Sequence, residues 1–152
     1  MYEKFYRSGQ NLIRSIFYTN KNFKKNIATL IQKGNFTHIY DIGGSDGVLL
    51  NYLNLNNKKY FCYDIDKYNL LKSKKKFNDK KNIKFLNKSL EKVKIKNNSK
   101  SLILLIGVLH HVDDNLIKQF LARNSTKLNI IALDGFYHKK QNLISKLLLK
   151  LD

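Results

Sequence analysis

Two short segments combine residue types that could bind a ligand or move a proton. The first, DIGGSDG at residues 41–47, places an acidic residue at the end of an apolar run and then three glycines. The second, LHHVDD at residues 109–114, places two histidines before two aspartates. Glycine lets a chain turn tightly and leaves bare backbone for a ligand, and histidine can accept a proton near neutral pH.

The glycine segment departs from two common phosphate-binding patterns. A dinucleotide fingerprint, G-x-G-x-x-G, that starts at Gly43 requires glycine where the chain has Ser45 and Val48. A Walker A loop ends in G-K-S/T, and the segment has no such ending. A plain glycine-rich turn between a strand and a helix stays an open interpretation.

The elements that must position these segments follow from apolar periodicity. Strands that alternate with helices of this length favour parallel pairing through right-handed crossovers. The sequence therefore predicts an α/β fold with a doubly wound, mostly parallel sheet of five strands, in which ligands bind beyond the carboxyl ends of the strands. Strands are predicted at residues 37–42, 59–64, 83–86, 101–106 and 129–134, and helices at 10–31 with a break at 19–22, and at 47–55, 67–77, 115–128 and 141–152.

Length and composition favour one globular domain. The 152 residues are 43% apolar and contain no repeat or Pro/Ser-rich linker. We expect a helical segment at 1–34, an α/β core at 35–135 and a final helix at 136–152. The longest apolar run is too short to span a membrane, and the first residues lack a secretory pattern, so a cytoplasmic location is predicted. The single cysteine, Cys62, excludes an internal disulfide and is expected to be buried.

The net charge of +18 would normally indicate a polyanionic partner such as nucleic acid or an anionic membrane. Most of the excess is lysine spread over every surface segment, and asparagine, isoleucine and tyrosine are abundant as well. That composition is typical of an AT-rich coding sequence. A solvated surface is therefore favoured over a nucleic-acid footprint, which stays an alternative.

Two aspartates follow the second predicted strand. Asp64 ends that strand 17 residues after Gly47. A carboxylate at this place in a doubly wound fold can accept hydrogen bonds from both ribose hydroxyls of a nucleoside. Asp66 comes directly before a predicted helix, and aspartate is a preferred N-cap residue, so we expect it to cap that helix.

Together these segments resemble the class I S-adenosylmethionine-dependent methyltransferases. Residues 41–47 are similar to their motif I, D-x-G-x-G-x-G, with Asp41, Gly43 and Gly47 matching and Ser45 in place of the middle glycine. Residues 104–114 look like the motif IV region of small-molecule members, in which an apolar strand runs into L-H-H and an acidic helix start. The resemblance covers about residues 37–134.

The resemblance implies S-adenosylmethionine as the cofactor and methyl transfer to a small-molecule or glycan-precursor acceptor. An RNA methyltransferase, or a non-catalytic nucleoside- or partner-binding module of the same fold, is the alternative. Asn87 stands where the family often has an aspartate that receives the adenine amino group, and a solvent-facing loop is the other interpretation of this residue. The predicted cofactor-binding residues are Asp41, Gly43, Gly44, Ser45, Gly47, Asp64, Ile65, Asn87 and Gly107.

His110 and His111 are the candidate catalytic residues, one of them as a general base on the acceptor. We expect the two side chains to diverge so that only one faces the acceptor, and we predict no metal site, because metal ligands must converge. A packing or hydrogen-bonding role is the alternative for either histidine. Asp113 or Asp114 is expected to cap the following helix.

Ser45 and the chain end carry two further expectations. Ser45 should either keep an ordinary backbone conformation and bond the cofactor through its hydroxyl, or weaken cofactor binding. The family normally adds an antiparallel hairpin of two strands after strand five. The resemblance therefore implies a chain truncated before those strands, with strand five as an open edge.

Overall fold

The computed structural model describes residues 21–96, 98–124 and 129–134, and the predictions for residues 1–20 and 135–152 lie outside them. Within the described residues, five parallel strands form one sheet in the order β3-β2-β1-β4-β5. The predicted α/β fold and its five strands are confirmed. The strands are β1 (His38–Ile42), β2 (Lys59–Asp64), β3 (Ile83–Asn87), β4 (Ser101–Ile106) and β5 (Asn129–Leu133).

Three α-helices in the described residues pack on the two faces of the sheet. They are α1 (Lys21–Lys33), α2 (Lys67–Lys76) and α3 (Asp114–Asn124). Ile31 of α1 and Leu70 of α2 belong to one buried cluster, whereas Phe120 of α3 belongs to another. Alternate strand residues supply each cluster, as expected for strands that are covered on both faces.

The helix caps agree with the sequence. The side chain of Asp66 accepts hydrogen bonds from the backbone of Tyr68 at 2.9 Å and Asn69 at 3.2 Å, so it is the predicted N-cap of α2. Asp113, rather than Asp114, caps α3 by accepting from the backbone N–H of Asn115 at 2.9 Å. These caps fix where each helix begins, directly after a strand-end loop.

The predicted helix at 47–55 is wrong. The segment contains only a 3-10 helix, Val48–Tyr52, and then an extended residue, Leu53. Most apolar residues of this segment pack against the same cluster, and two of them, Leu49 and Leu50, are adjacent and buried. One face of an α-helix cannot present so many neighbouring positions to one core, and a tight turn followed by extended chain can.

Smaller differences concern the ends of elements. The helix α1 begins at Lys21, so the predicted break does not include residues 21–22. The strand β3 continues to Asn87, one residue beyond its prediction. The end of the predicted helix at 125–128 lies outside the described residues.

Two further observations bear on composition. Cys62 is fully buried, as predicted, in the cluster that packs against α1 and α2. Among the helices of the described ranges, none is long and apolar enough to cross a membrane.

Candidate functional site

The glycine loop after β1 is held against the neighbouring strand ends. Gly43 and Gly47 have φ angles of +73° and +64°, in the left-handed region that favours glycine. The N–H of Gly43 donates to the carbonyl of Tyr63 at 2.8 Å. A Cβ atom at position 43 would lie 2.6 Å from Cγ2 of Val108, so the loop after β4 packs directly on this bare backbone.

Asp41 supports the loop from below. Its carboxylate is buried and accepts a short hydrogen bond from the hydroxyl of Tyr60. A Cβ atom on Gly44 would lie 2.6 Å from Oδ2 of Asp41, so the loop backbone covers the carboxylate. Burial raises the pKa of Asp41 to about 6, and the Tyr60 hydrogen bond offsets part of this effect. Asp41 therefore lies beneath the loop, and its predicted contact with the cofactor stays a prediction.

Ser45 does not keep the ordinary backbone that we expected as one alternative. Its φ angle is +46°, because its N–H turns toward Oδ2 of Asp64, to which it donates at 2.8 Å. Its hydroxyl accepts a hydrogen bond from Nδ2 of Asn69 at 3.2 Å. The hydroxyl thus ties the glycine loop to α2.

Asp64 lies at the edge of this loop with acceptor capacity to spare. Its Oδ2 accepts from Ser45, and its Oδ1 accepts from the backbone N–H of Asp66 at 2.8 Å. A carboxylate offers about four lone-pair positions, so roughly two remain for outside donors. The next residue, Ile65, is 77% exposed and presents an apolar surface beside the carboxylate.

Asn87 clamps the loop that carries Asp64. Its Nδ2 donates to the carbonyl oxygens of Asp64 and Ile65, both at 2.9 Å. The sequence identified this residue but not the clamp. Because the NH₂ group donates to these carbonyls, the amide oxygen is the atom with which Asn87 would accept from the adenine amino group. This contact stays a prediction.

Gly107 turns the chain at the end of β4. Its φ angle is +63°, and its N–H donates to the carbonyl of Leu133 at 2.8 Å. The chain then enters a 3-10 helix, Leu109–His111. The turn brings the histidine segment to the ends of β1 and β5.

An imidazole–carboxylate pair forms the far side of the site. Nδ1 of His110 lies 2.6 Å from Oδ1 of Asp134, directly after β5. Oδ2 of Asp134 accepts from the backbone N–H of Leu109 at 2.5 Å and of His110 at 3.1 Å. Sequence reasoning assigned no role to Asp134. The signal was present, because Asp134 is the first polar residue after an apolar strand, the pattern that identified Asp64.

The two histidine side chains do not diverge as expected. The ring centroids of His110 and His111 are 3.8 Å apart, with an angle of 45° between the planes. The expectation assumed extended backbone, whereas the chain forms a 3-10 turn here and the two rings come into contact. Within the described part of the chain, no group of three or more His, Cys, Asp or Glu residues is arranged to hold a metal ion.

The geometry agrees with a family assignment. A family model described as a methyltransferase domain matches residues 40–125, more than half of the chain. The chain therefore belongs to the methyltransferase domain family, with the Rossmann-like fold of class I S-adenosylmethionine-dependent methyltransferases. No curated protein sequence matches the chain.

Three solved structures illustrate the shared fold. A candidate O-methyltransferase from Nostoc punctiforme has a TM-score of 0.69 at 20% identity, and the match covers 93% of this chain and 46% of that one. An S-adenosylmethionine-dependent methyltransferase from Aquifex aeolicus has a TM-score of 0.59 at 16% identity, covering 93% and 86%. The N-methyltransferase NodS from Bradyrhizobium japonicum, in complex with S-adenosylhomocysteine, has a TM-score of 0.57 at 13% identity, covering 70% and 56%. The chain thus spans less than half the length of the Nostoc protein.

Proposed function

We propose that the protein binds S-adenosylmethionine at the carboxyl ends of β1 and β2 and transfers its methyl group to a small-molecule or glycan-precursor acceptor. The observation that carries the proposal is the carboxylate of Asp64. It is fixed by two backbone N–H groups and keeps acceptor positions for two vicinal hydroxyls. Membership in the methyltransferase domain family supports the same cofactor.

The remaining residues fit the other parts of the cofactor. Ile65, exposed beside Asp64, offers an apolar surface for the adenine ring, and the amide oxygen of Asn87 can accept from the adenine amino group. The loop backbone between Gly43 and Gly47 would lie against the methionine part, while the sides of these two glycines that lack a Cβ face Val108 and Leu50. Gly107 fixes the turn that closes this side of the site.

The chemistry requires mainly alignment. When bound, S-adenosylmethionine supplies a methyl group that is already activated by its positive sulfur. The protein then has to hold the acceptor in line with that methyl group. Asp134 orients the His110 ring through Nδ1, so this ring is the one that would receive a proton from an acceptor hydroxyl or amine.

The L-H-H segment, which resembles that of small-molecule methyltransferases, supports a small-molecule acceptor. The test is to incubate the protein with S-adenosylmethionine labelled in its methyl group, together with either a metabolite filtrate or total RNA. We expect label in the filtrate and not in RNA, and the control variant Asp64→Ala should transfer much less label at the same cofactor concentration.

The alternatives give different results in the same assay. Label in RNA alone would replace the small-molecule acceptor with an RNA acceptor. Binding of S-adenosylhomocysteine without transfer to either pool would identify a non-catalytic module. Absence of binding would contradict the proposal itself.

A further inference from the structure

A second concave surface lies at the other end of the strands, on the sheet face that packs against α3. The strand register places His38 beside Lys59, and two residues further along each strand it places Tyr40 beside Phe61. Lys84 of β3 lies beside Phe61 on the same face. We call this surface the sheet groove. Its volume is about 380 Å³, and ligand clefts commonly enclose roughly 300–1,000 Å³.

Hydrogen bonds fix one wall of the sheet groove. The backbone N–H of Lys96 donates to the hydroxyl of Tyr40 at 2.9 Å, and Oγ of Ser101 donates to the carbonyl of Lys96 at 2.6 Å. The hydroxyl of Tyr63 donates to the carbonyl of Lys94 at 3.4 Å. The segment that carries Lys96 is therefore tied to the sheet, and its charge stays near the aromatic rings.

The sheet groove is strongly basic. Lys59, Lys81, Lys84 and Lys96 line it, and no acidic residue does so among those that the structure describes. In the same described ranges, none of these lysines forms an ion pair. The pKa of His38 is lowered, first by burial and then by the charges of Lys96 and Lys59, and the second of these causes reflects a positive local potential.

The floor of the sheet groove is a stack of rings. The rings of Tyr40 and Phe61 lie 5.0 Å apart with 10° between their planes, and those of His38 and Phe61 lie 6.3 Å apart with 5° between theirs. The side chain of Phe61 is only half-buried. Tyr40 is buried and covers one side of Phe61, so the partly exposed side of Phe61 is the surface available to a nucleobase. Stacking of a base on an aromatic side chain is worth roughly 1–3 kcal/mol, measured by removing the ring.

We propose that the sheet groove binds single-stranded nucleic acid, with a base against the ring stack and phosphates on the lysines. Lysines by themselves would indicate no more than a solvated surface. The aromatic rings at the floor of the groove are what distinguish it from a surface that carries only diffuse positive charge. The proposal does not rest on methyl transfer, because the groove shares no residue with the candidate cofactor site. The two ends of β1 are about 13 Å apart, so the groove and the candidate cofactor site are separate. The nucleic acid bound in the groove therefore does not have to be the methyl acceptor.

The first test compares two double variants that lose equal charge. Binding of a fluorescent ten-nucleotide oligouridine to the full chain is followed by anisotropy at several salt concentrations. Lys84→Gln with Lys96→Gln should weaken binding at least about tenfold and reduce the slope of log K against log salt by about 1.4, or 0.7 per lost phosphate contact. The control, Lys25→Gln with Lys118→Gln, changes exposed lysines elsewhere and should have a clearly smaller effect.

The second test removes the ring. Phe61→Leu keeps an apolar side chain in its cluster and should weaken oligouridine binding about 5- to 150-fold if one base stacks there. Thermal unfolding and S-adenosylhomocysteine affinity, both expected to change little, show that the variant is folded. If Phe61→Leu does not fold, the lysine pair decides the question alone.

Three results would overturn the proposal. Equal losses in the two lysine doubles would show diffuse charge attraction. Full oligouridine affinity in a folded Phe61→Leu variant would exclude the ring stack. Stronger binding to phosphatidylserine vesicles than to oligouridine, lost on changing Lys84 and Lys96, would assign the groove to a membrane surface.

Discussion

Asp41 and Asp64 both lie at the ends of strands, yet their surroundings give them different roles. The carboxylate of Asp41 is covered by loop backbone and bonded to Tyr60. The carboxylate of Asp64 is only partly buried and is oriented by N–H groups that leave acceptor positions open. Both residues were predicted to bind the cofactor, and burial makes Asp64 the more accessible of the two carboxylates.

Replacing Asp64 by alanine should weaken S-adenosylhomocysteine binding by about 1.5–3 kcal/mol, or roughly 10- to 150-fold, the usual range for a lost hydrogen bond to a charged group. The measurement is calorimetric titration of each variant. Asp79→Ala is the matched control, since it removes the same charge from a side chain that is 66% exposed. Unchanged affinity in Asp64→Ala would mean that the ribose is held elsewhere.

His110→Ala and His111→Ala should have unequal effects on turnover. General bases contribute roughly 10²- to 10⁴-fold, and of the two, His110 is the one oriented by Asp134, so it should lose at least about 10² and His111 less than about tenfold. Asp134→Asn should lower kcat as well, with little change in S-adenosylhomocysteine affinity. Equal small losses in folded histidine variants would show that neither residue is a base.

Burial of Asp41 predicts a specific dependence of stability on pH. Its pKa is raised from 3.8 to about 6, so the folded state holds this proton more tightly than the unfolded state does. Its contribution to the free energy of unfolding therefore falls as the pH rises from about 4 to about 6, by on the order of 3 kcal/mol. Urea unfolding across this range should show that Asp41→Asn lacks this fall, and parallel curves for the two proteins would contradict the argument.

At the scale of elements, the loops after β1 and β4 are packed as one unit. Gly43→Ala should destabilise the protein by at least about 2 kcal/mol, because alanine is strained in the left-handed region and its Cβ would meet Val108. Combining Gly43→Ala with Val108→Gly should relieve the contact but leave the backbone strain. Glycine is needed at position 108, because Cβ of Val108 would itself lie 2.8 Å from the new Cβ atom. The cost of Gly43→Ala should then fall to about 1–2 kcal/mol, and strictly additive unfolding energies would contradict this packing.

The strands were predictable because their patterns are local. The bounds of β2 and β4 match the predicted residues, since apolar runs of this length favour strands whatever their neighbours. The segment at 48–52 was not predictable in the same way. Its apolar residues suit a helix, and their packing against one buried cluster is set by the tertiary structure.

At the scale of the whole molecule, chain order placed the site where it is. Parallel strands bring their carboxyl ends to one edge, so Asp64, Asn87 and His110 follow from counting strands. The pairing of His110 with Asp134 and the ring contact between His110 and His111 did not follow, because both depend on the turn that Gly107 begins. The sheet groove was also hidden, since the sequence shows dispersed lysines and only the register assembles them around the rings.

We propose above all that the carboxyl edge of this sheet is an S-adenosylmethionine site. Calorimetric titration of the chain with S-adenosylhomocysteine, NAD and ATP tests it most directly, because all three contain adenosine and only the first carries the thioether-linked amino acid. We expect one-to-one binding of S-adenosylhomocysteine with an affinity at least about tenfold higher than that for NAD or ATP. This corresponds to a difference in binding free energy of about 1.4 kcal/mol. Equal or tighter binding of NAD or ATP, or no binding of S-adenosylhomocysteine by the folded chain, would contradict it.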